Sequence, residues 1–250
     1  MESKPDFSNS AYLFPHINKE GIRFGLIAAI FATAITAGVV CAHFVFHSIA
    51  LTVFLAAITI PFWMLTYGVF LFFRDPDRYP PPNDPKAVLS PADGRICLIQ
   101  TVPLPEELKP EDVSLDDWNK DTFTRVSVFM SVFNVHVNRM PTAGCIVKKA
   151  YVPGKYLNAS LDKASKDNER CAYLIETKGG TRYGVVQIAG LVARRIVPFV
   201  EEGATLDQAE RFGLIRFGSR LDVYLPKGAV PEVRLGQIMV AGETILGHLT

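Results

Sequence analysis

Two long apolar runs dominate the hydrophobic pattern near the N-terminus. Residues 24–46 and 49–73 contain no Lys, Arg, Asp or Glu, and each run reaches the roughly 20 residues that a bilayer-spanning helix needs. A buried helical hairpin in a soluble protein is the alternative, but amphipathic soluble helices carry polar residues at helical spacing. The pattern therefore predicts a two-helix membrane hairpin over residues 24–73, preceded by a separate segment over residues 1–23.

The connection between the two runs is very short, because only His47 and Ser48 separate them. We expect the turn to extend over residues 42–48, which places His43 and His47 near a membrane interface without a catalytic role. Proline in a helix interior removes a backbone hydrogen bond, so we expect Pro61 to kink the second helix.

The positive charges next to the hairpin predict its orientation. Lysines and arginines precede and follow the hairpin, and its turn has none, so both termini should face the cytoplasm. A cleaved signal peptide is the alternative, but more than twenty polar or mixed residues precede the first apolar run. The expected location is the inner membrane, with the rest of the chain on its cytoplasmic side.

Beyond the hairpin, short apolar runs alternate with turn residues. Five prolines between residues 76 and 85 indicate a stiff linker over residues 74–86. Strands are predicted at residues 96–102, 126–133, 145–152, 172–177, 184–189, 195–200, 221–225 and 233–240. This spacing predicts a mainly β (α+β) catalytic domain over residues 87–250, sandwich-like or barrel-like.

Three segments of this domain carry more specific expectations. In the strand at residues 221–225, leucine and valine alternate with Asp222 and Tyr224, so one face should be buried. Residues 205–211 are predicted as a short helix that begins at a threonine cap. Residues 105–121 are acidic and are predicted as a loop with a helical turn.

Composition narrows the class of protein. The chain has 250 residues, 49% of them hydrophobic, and a net charge of +1, so no basic footprint for nucleic acid is present. The four cysteines, Cys41, Cys97, Cys145 and Cys171, are scattered and form no metal-binding spacing with histidine. We therefore expect neither disulfides nor a metal, and we expect the cysteines to behave as small apolar groups.

The candidate chemistry centres on the Gly218-Ser219 bond near the C-terminus. Glycine lacks a Cβ, so it permits the distorted backbone that lets a following hydroxyl attack the preceding carbonyl. Such a serine can cut its own chain. Taken alone, however, a Gly-Ser dipeptide is more often an ordinary turn.

Five motifs accompany this dipeptide in one order along the chain. They are FFRDPDR at 72–78, SPADG at 90–94, FNVHVNRMP at 133–141, NER at 168–170 and FGSR at 217–220. Together they closely resemble the phosphatidylserine decarboxylase proenzymes, in particular the short form of that family. The resemblance extends from about residue 72 to the C-terminus.

The resemblance implies roles for three residues. Asp93 would orient His136, which would deprotonate Ser219 for self-cleavage, as in the catalytic triad of serine hydrolases. From the residues alone, His136 is more often a structural strand histidine, and Asp93 in an Asp-Gly pair is more often a turn residue. The NER motif at 168–170 equally suits an exposed loop, so it receives no individual role.

Two positions depart from the longer members of the family. Alignment on Met140-Pro141 places Arg139 where those members carry a second histidine, so His136 either serves both self-cleavage and decarboxylation or shares the work with another group. Arg220 replaces the threonine that is common after the serine, although arginine is usual in the short forms.

The implied product is a two-chain enzyme. Cleavage between Gly218 and Ser219 would give chains 1–218 and 219–250, which stay associated, and Ser219 would become a covalent pyruvoyl cofactor. By resemblance, a Schiff base between this cofactor and phosphatidylserine would lead to phosphatidylethanolamine at the bilayer, and a homodimer is one assembly that the chain could form. The alternatives are an uncleaved membrane-anchored serine hydrolase, disfavoured by the missing GxSxG motif, and an inert lipid-binding relative.

Overall fold

The computed structural model describes residues 16–81, 84–109, 122–155, 167–190, 195–216 and 218–249. The chain divides into two compact units, Met1–Asp77 and Arg78–Thr250. The division falls inside the proline-rich segment that the sequence predicts as a linker. Each unit is described by itself.

The first unit is a helical hairpin. Helix α1 spans Lys19–Phe46 and helix α2 spans Ile49–Phe72. Asn18 and Ser48 cap their N-termini, because each side chain accepts a backbone N–H of the first turn. A two-stranded ladder pairs β1 (His16–Ile17) with β2 (Arg74–Asp75) beside the helices. The hairpin that the sequence predicts is therefore present, with α1 starting five residues earlier than expected.

The turn of the hairpin is tighter than the sequence indicates. Helix α1 continues to Phe46, so the expected turn over residues 42–48 is wrong, and the reversal is confined to His47 and Ser48. His47 adopts a left-handed conformation with φ 46°, which ends a helix because the next carbonyls turn away from its axis. His43 remains helical and bonds Thr52 of α2 across the turn at 2.8 Å.

Both helices are long and apolar enough to cross a membrane, with mean hydropathies of 2.3 and 2.1. In their most apolar windows only 11% and 6% of the positions are buried, whereas the core helices of a soluble protein are mostly buried. Where the helices meet, a Cβ on Gly25 would lie 2.5 Å from the ring of Phe70. Glycine at this position therefore lets the Phe70 ring of α2 pack directly against the backbone of α1.

The second unit is built almost entirely of strands. Its strands are β3 (Ala87–Leu89), β4 (Gly94–Pro103), β5 (Thr122–Met130), β6 (Val137–Arg139), β7 (Gly144–Val152), β8 (Arg170–Glu176), β9 (Arg182–Ala189), β10 (Arg195–Pro198), β11 (Thr205–Leu206), β12 (Arg211–Arg216), β13 (Ser219–Leu225), β14 (Val230–Pro231), β15 (Ile238–Met239) and β16 (Ile245–His248). The mainly β prediction is confirmed. A short 3-10 helix at Glu106–Leu108 supplies the expected helical turn, and the rest of that predicted loop, from residue 110, lies outside the described residues.

These strands form three antiparallel sheets arranged as a sandwich. The large sheet has the order β11-β7-β8-β9-β13-β5-β4-β15, and the two smaller sheets have the orders β10-β12-β6 and β14-β16-β3. Among the described strands, β11 and β15 remain at the edges of the large sheet, so it does not close into a barrel. Of the two predicted architectures, the sandwich is the observed one.

The main core lies between the large sheet and the two smaller ones. Val128 and Val223 of the large sheet belong to the same buried cluster as Ile215 of β12 and Leu246 of β16. A second cluster, which includes Leu108 and Tyr224, involves other residues of the large sheet and the 3-10 helix. The large sheet is therefore covered on both faces, which makes its central strands the most protected part of the domain.

Strand β13 differs from its prediction for this reason. All seven of its residues are buried, so the expectation of a single buried face is wrong. Arg220 and Asp222, both with 0% exposed side chains, form an ion pair with Nε–Oδ1 2.8 Å and Nη2–Oδ2 3.0 Å. Two charges can occupy a covered face when each neutralises the other and their hydrogen-bonding groups are paired.

Two further expectations are wrong because tertiary pairing overrides local propensity. The predicted helix at 205–211 is instead strand β11 paired with β7, followed by a turn in which Ala209 has φ 63°. In the predicted strand at 233–240, only β15 pairs, since a turn at Gly236 with φ 81° interrupts it. All four cysteines are free: Cys171 is buried, Cys97 and Cys145 are half-buried, and Cys41 is exposed on α1.

The end of the last strand is held by a histidine between two carboxylates. His248 Nδ1 lies 2.6 Å from Glu232 and Nε2 lies 2.8 Å from Asp84. Hydrogen bonds to Glu232 and Asp84 raise the pKa of His248 above 6.5, and the bond to His248 lowers the pKa of Asp84 below 3.8. Between pH 3.8 and pH 6.5, His248 and Asp84 are therefore both charged and form an ion pair.

We expect this bridge to make stability depend on pH. Its His248 contribution is fully present below pH 6.5, the unfolded-state value, and is lost as the pH rises through the raised folded-state pKa. Wild type should therefore exceed His248→Gln in thermal midpoint by more at pH 5.5 than at pH 9. Equal differences at the two pH values in thermal unfolding would contradict the assignment.

Candidate functional site

Ser219 is the first residue of the central strand β13. It pairs with Met130 of β5 on one side and with Ala189 of β9 on the other. The residue is 0% exposed, and its Oγ is a buried hydroxyl with no hydrogen-bond partner in the described part of the chain. A buried, unpartnered hydroxyl costs stability, so this atom contributes nothing to holding the strand in place.

The residue before it requires glycine for its backbone conformation. Gly218 has φ +61°, in the left-handed region, and the nearest atom to a hypothetical Cβ would be Cγ1 of Val132 at 4.0 Å. A side chain would therefore fit in space but would strain the backbone. The bond to Ser219 thus follows directly on a left-handed glycine.

His136 contacts this same segment. The residue is 0% exposed, and its Nδ1 lies 2.9 Å from the carbonyl oxygen of Asn134. The backbone N–H of Gly218 donates to its Nε2 at 3.3 Å. A carbonyl only accepts and an N–H only donates, so Nδ1 carries the proton and Nε2 presents its lone pair to the Gly218-Ser219 segment.

Asp93 forms its hydrogen bonds with Arg78 and Ala241. Its two carboxylate oxygens accept from Nη2 of Arg78 at 3.0 and 2.9 Å, and Oδ1 also accepts from the backbone N–H of Ala241. Among the described residues, the hydrogen bonds of Asp93 do not include one to His136, whose tautomer is instead set by Asn134. The relay that the family resemblance implies for Asp93 stays a prediction. The Arg78 partner stands in the FFRDPDR motif, but nothing in its pattern identified this role.

Arg139, at the position of the second family histidine, is directed to another part of the domain. It is 5% exposed and its Nη1 donates to the carbonyl oxygen of Ala209 at 3.0 Å. His136 is therefore the histidine that the described structure places at the Gly218-Ser219 segment.

A buried polar chain lies beside Ser219, and sequence reasoning missed it. Tyr173 donates to Gln187 at 3.0 Å, Gln187 donates to Asn138 at 2.8 Å, and Asn138 donates to the sulfur of Met130 at 3.7 Å. Met130 is the strand partner of Ser219. In the sequence, one feature pointed to this chain of hydrogen bonds. Asn138 follows His136 by two residues, and in an extended segment that spacing places both side chains on the same side.

The NER motif at 168–170 is also more structural than expected. Asn168 and Glu169 are buried, so the exposed-loop interpretation is wrong. Asn168 Nδ2 donates to the carbonyl oxygen of Ala189 at 2.7 Å, and Glu169 accepts from the backbone of Ile196 at 3.2 Å. Since Ala189 pairs with Ser219, the motif holds the end of strand β9 that lies next to the serine. The preceding residues 163–166 lie outside the described residues.

The site thus combines a buried hydroxyl with an imidazole lone pair at the adjacent residue. In the described structure His136 and the Ser219 hydroxyl are not hydrogen-bonded to each other, so activation of this hydroxyl by the imidazole would need the two groups to approach within hydrogen-bond reach. Within the described residues, no group of three or more His, Cys, Asp or Glu side chains is placed to hold a metal ion.

Comparison with known proteins defines the class. A family model described as phosphatidylserine decarboxylase matches residues 66–247. A phosphatidylserine decarboxylase proenzyme of Novosphingobium aromaticivorans is 49% identical over 96% of this chain and 89% of its own. The proenzyme of Zymomonas mobilis is 48% identical over 94% and 88%, and that of Ruegeria pomeroyi is 57% identical over 74% and 80%.

The class defined by these matches is a phospholipid-biosynthetic lyase made as a zymogen, and the two apolar helices are consistent with membrane association. The chain belongs to the phosphatidylserine decarboxylase family. The resemblance inferred from its motifs is confirmed.

Proposed function

We propose that the chain cleaves itself between Gly218 and Ser219 and then converts phosphatidylserine to phosphatidylethanolamine through a pyruvoyl group derived from Ser219. The observation that carries the proposal is the contact of His136 Nε2 with the N–H of Gly218, beside a buried Ser219 hydroxyl that has no hydrogen-bond partner among the described residues. The proenzyme name of the relatives agrees with a chain that requires processing.

Each residue of the segment has a defined task in the cleavage. His136 Nε2 accepts the hydroxyl proton while Oγ of Ser219 attacks the carbonyl carbon of Gly218. The carbon–nitrogen bond then breaks, the nitrogen of Ser219 receives a proton, and an ester joins Gly218 to the Ser219 oxygen. Loss of the Cα proton expels this ester as the carboxylate of Gly218, and hydrolysis of the resulting dehydroalanine releases ammonia.

The sheet supports continued association of the two products. Residues 219–225 pair with β5 over seven positions, and residues 219–224 pair with β9 over six. Both flanking strands belong to residues 1–218, so the new N-terminus would remain between them. These ladders do not depend on the bond that is cut.

The buried surroundings of Ser219 fit a pyruvoyl group, because Met130 and Ala189 flank the position and no described side chain bonds its hydroxyl. When present, a pyruvoyl ketone supplies an electron sink for the loss of carbon dioxide from a bound amino acid. His136, at the same segment, is the proposed proton donor to the α-carbon after decarboxylation. The apolar helices would hold this site at the cytoplasmic face of the inner membrane, which concentrates the enzyme at its lipid substrate.

Denaturing mass spectrometry of the purified wild-type protein tests the proposal. We expect two chains, residues 1–218 and a C-terminal chain that is lighter by one ammonia than residues 219–250 and resistant to Edman degradation. Release of labelled carbon dioxide from carboxyl-labelled phosphatidylserine should accompany the two chains. A folded, intact chain would overturn the proposal in favour of a serine hydrolase, if Ser219 reacts with a fluorophosphonate, or of an inert relative, if it does not.

A further inference from the structure

The side chain of Asn138 lies across the beginning of strand β13. Its Nδ2 donates to the sulfur of Met130 on β5, and its Oδ1 accepts from Nε2 of Gln187 on β9. Strand β13 runs between β5 and β9. Met130 is opposite Ser219 on one side of this strand, and on its other side Gln187 is opposite Leu221. The carboxamide of Asn138 therefore bridges the two strands that flank the serine.

The groups that meet this carboxamide share one face of the large sheet. Residues directly opposite each other in an antiparallel ladder point to the same side, and so do residues two apart in one strand. Met130 and Leu221 belong to the main core cluster, so the shared face is the one that packs against the smaller sheets. Neighbouring strands lie about 4.8 Å apart. A group that bonds both flanking strands therefore lies over β13 on the side to which Ser219 points.

The core is shaped to hold this polar group. Asn138 and Gln187 are both 0% exposed. Gly213 of β12 is the ladder partner of Asn138, and a Cβ on this glycine would lie 2.7 Å from Nε2 of Gln187. The Gln187 amide fits because position 213 has no side chain. Burying amides has no advantage over apolar side chains of the same size, so packing alone does not explain the polar chain.

The donor of the Asn138 amide is only weakly bound. An amide nitrogen carries two N–H groups, and a thioether is a weak acceptor. Within the part of the chain that the structure describes, the acceptor for Asn138 Nδ2 is the Met130 sulfur at 3.7 Å. The amide oxygen, by contrast, makes a 2.8 Å bond with Gln187. This bond directs the nitrogen toward Met130, the strand partner of Ser219.

The proposed cleavage requires such a donor. When Oγ of Ser219 bonds to the carbonyl carbon of Gly218, the electron pair of the carbonyl bond moves onto its oxygen, and a fixed donor stabilises the resulting charge. His136 does not supply this donor, because its Nε2 accepts from the N–H of Gly218 and so holds a lone pair in place of a proton. A side-chain amide of asparagine is one of the groups that stabilise such oxyanions.

We propose that Asn138 donates a hydrogen bond to the carbonyl oxygen of Gly218 while Ser219 attacks, and that its N–H exchanges the Met130 sulfur for this oxygen. The amide transfers no proton. Its hydrogen bond is strongest while the oxygen is negative and weakens when the carbon–nitrogen bond breaks and the carbonyl reforms. The inference rests on the proposed self-cleavage and adds to it the group that stabilises the alkoxide.

Two variants of the full chain test this donor. Asn138→Leu removes the amide at similar volume, and a triple variant with Gln187→Met and Tyr173→Phe replaces the whole polar chain by apolar side chains. We expect both to self-cleave about 100- to 1,000-fold more slowly than wild type in pulse–chase labelling. The triple variant should keep at least the wild-type thermal midpoint, because both partners of each bond are replaced. Tyr183→Phe, which removes a buried bond to Thr142 at the other end of β9, is the control and should cleave like wild type.

Hydroxylamine and pH distinguish a role in the attack from a general disturbance of the site. Hydroxylamine cuts esters but not amides, so the uncleaved Asn138 variants should stay whole in it, because their ester does not form. Their residual cleavage should keep the wild-type pH midpoint, since the base His136 is unchanged. Cutting by hydroxylamine, a shifted midpoint or a wild-type rate would each overturn the role of Asn138 alone. An intact wild-type chain would overturn the proposed function and this inference with it.

Discussion

Replacing Ser219 with alanine is expected to leave the chain whole and to abolish decarboxylation. The hydroxyl is the only group of this residue that can attack the carbonyl of Gly218, and its removal also removes the source of the pyruvoyl group. The fold should survive, because Oγ has no hydrogen-bond partner in the described structure and removal of a buried unpartnered hydroxyl is nearly neutral or stabilising. A denaturing gel, a thermal unfolding scan and a carbon dioxide assay measure the three outcomes.

The domain contains a matched control for this substitution. Ser127 of β5 is also 0% exposed, and its buried Oγ likewise has no hydrogen-bond partner in the part of the chain that the structure describes. It pairs with Asp222, three residues into the neighbouring strand β13. Ser127→Ala should therefore be cleaved and active like wild type. Cleavage of Ser219→Ala at the same bond, or loss of cleavage in Ser127→Ala, would contradict the assigned nucleophile.

Much of the architecture was predictable because it depends on local pattern. Few structures other than membrane-spanning helices accommodate charge-free apolar runs of this length. The predicted hairpin is present as α1 and α2. Alternating short runs likewise predicted most strands of the large sheet. Local pattern fails where distant pairing decides: residues 205 and 206 form a strand because Cys145 and Gly144 of β7 lie opposite them.

The covered second face of the large sheet could not be read from β13 alone. Arg220 and Asp222 look like solvent-facing residues, and in isolation their pattern indicates an exposed face. Their burial depends on a second cluster that includes Leu108 of the 3-10 helix, distant in sequence. Breaking such a pair by removing one partner leaves an uncompensated buried charge, so the two residues are best regarded as one neutral unit.

The candidate site, like the fold, was predictable where it depends on local sequence and unpredictable where it depends on distant contacts. The motifs identified Gly218, Ser219 and His136, and the structure places these three residues together. The orientation of the imidazole was not predictable, because it depends on the carbonyl of Asn134 in a tight turn. The partner of Asp93 is a guanidinium fifteen residues earlier in the chain, and a short motif contains no information about which of several cations a carboxylate meets.

The Asp93–Arg78 pair nevertheless has a position that bears on the site. Asp93 precedes Gly94, whose missing Cβ would lie 2.1 Å from the carbonyl oxygen of Phe129. Phe129 is next to Met130, the strand partner of Ser219. Gly94 therefore allows the start of β4 to pack against the end of β5 that supports the serine, and the hydrogen bonds of Asp93 to Arg78 and Ala241 hold the residue directly before it. An effect of Asp93 on cleavage would be explained by this support without direct contact with His136.

His136→Ala should slow self-cleavage by about 100- to 10,000-fold, the usual contribution of a positioned general base. The substitution removes the lone pair at Nε2 that the Gly218 N–H now contacts at 3.3 Å, so the chain should accumulate in its uncleaved form. Pulse–chase labelling followed by denaturing gels measures the rate. His248→Ala is the matched control, since that histidine contacts only carboxylates of the domain surface in its described hydrogen bonds, and it should be cleaved at the wild-type rate.

The variant Asp93→Asn distinguishes two roles for Asp93: direct stabilisation of the His136 imidazole, or indirect support of the site. If Asp93 stabilises the charged imidazole directly, its rate loss should match that of His136→Ala, and the double variant should be no slower than either single one. If it supports the site through Arg78 and Ala241, as its hydrogen bonds indicate, the loss should be smaller and should be accompanied by a lower thermal midpoint. Wild-type cleavage in His136→Ala would exclude this histidine as the base and would assign the deprotonation of Ser219 to another group.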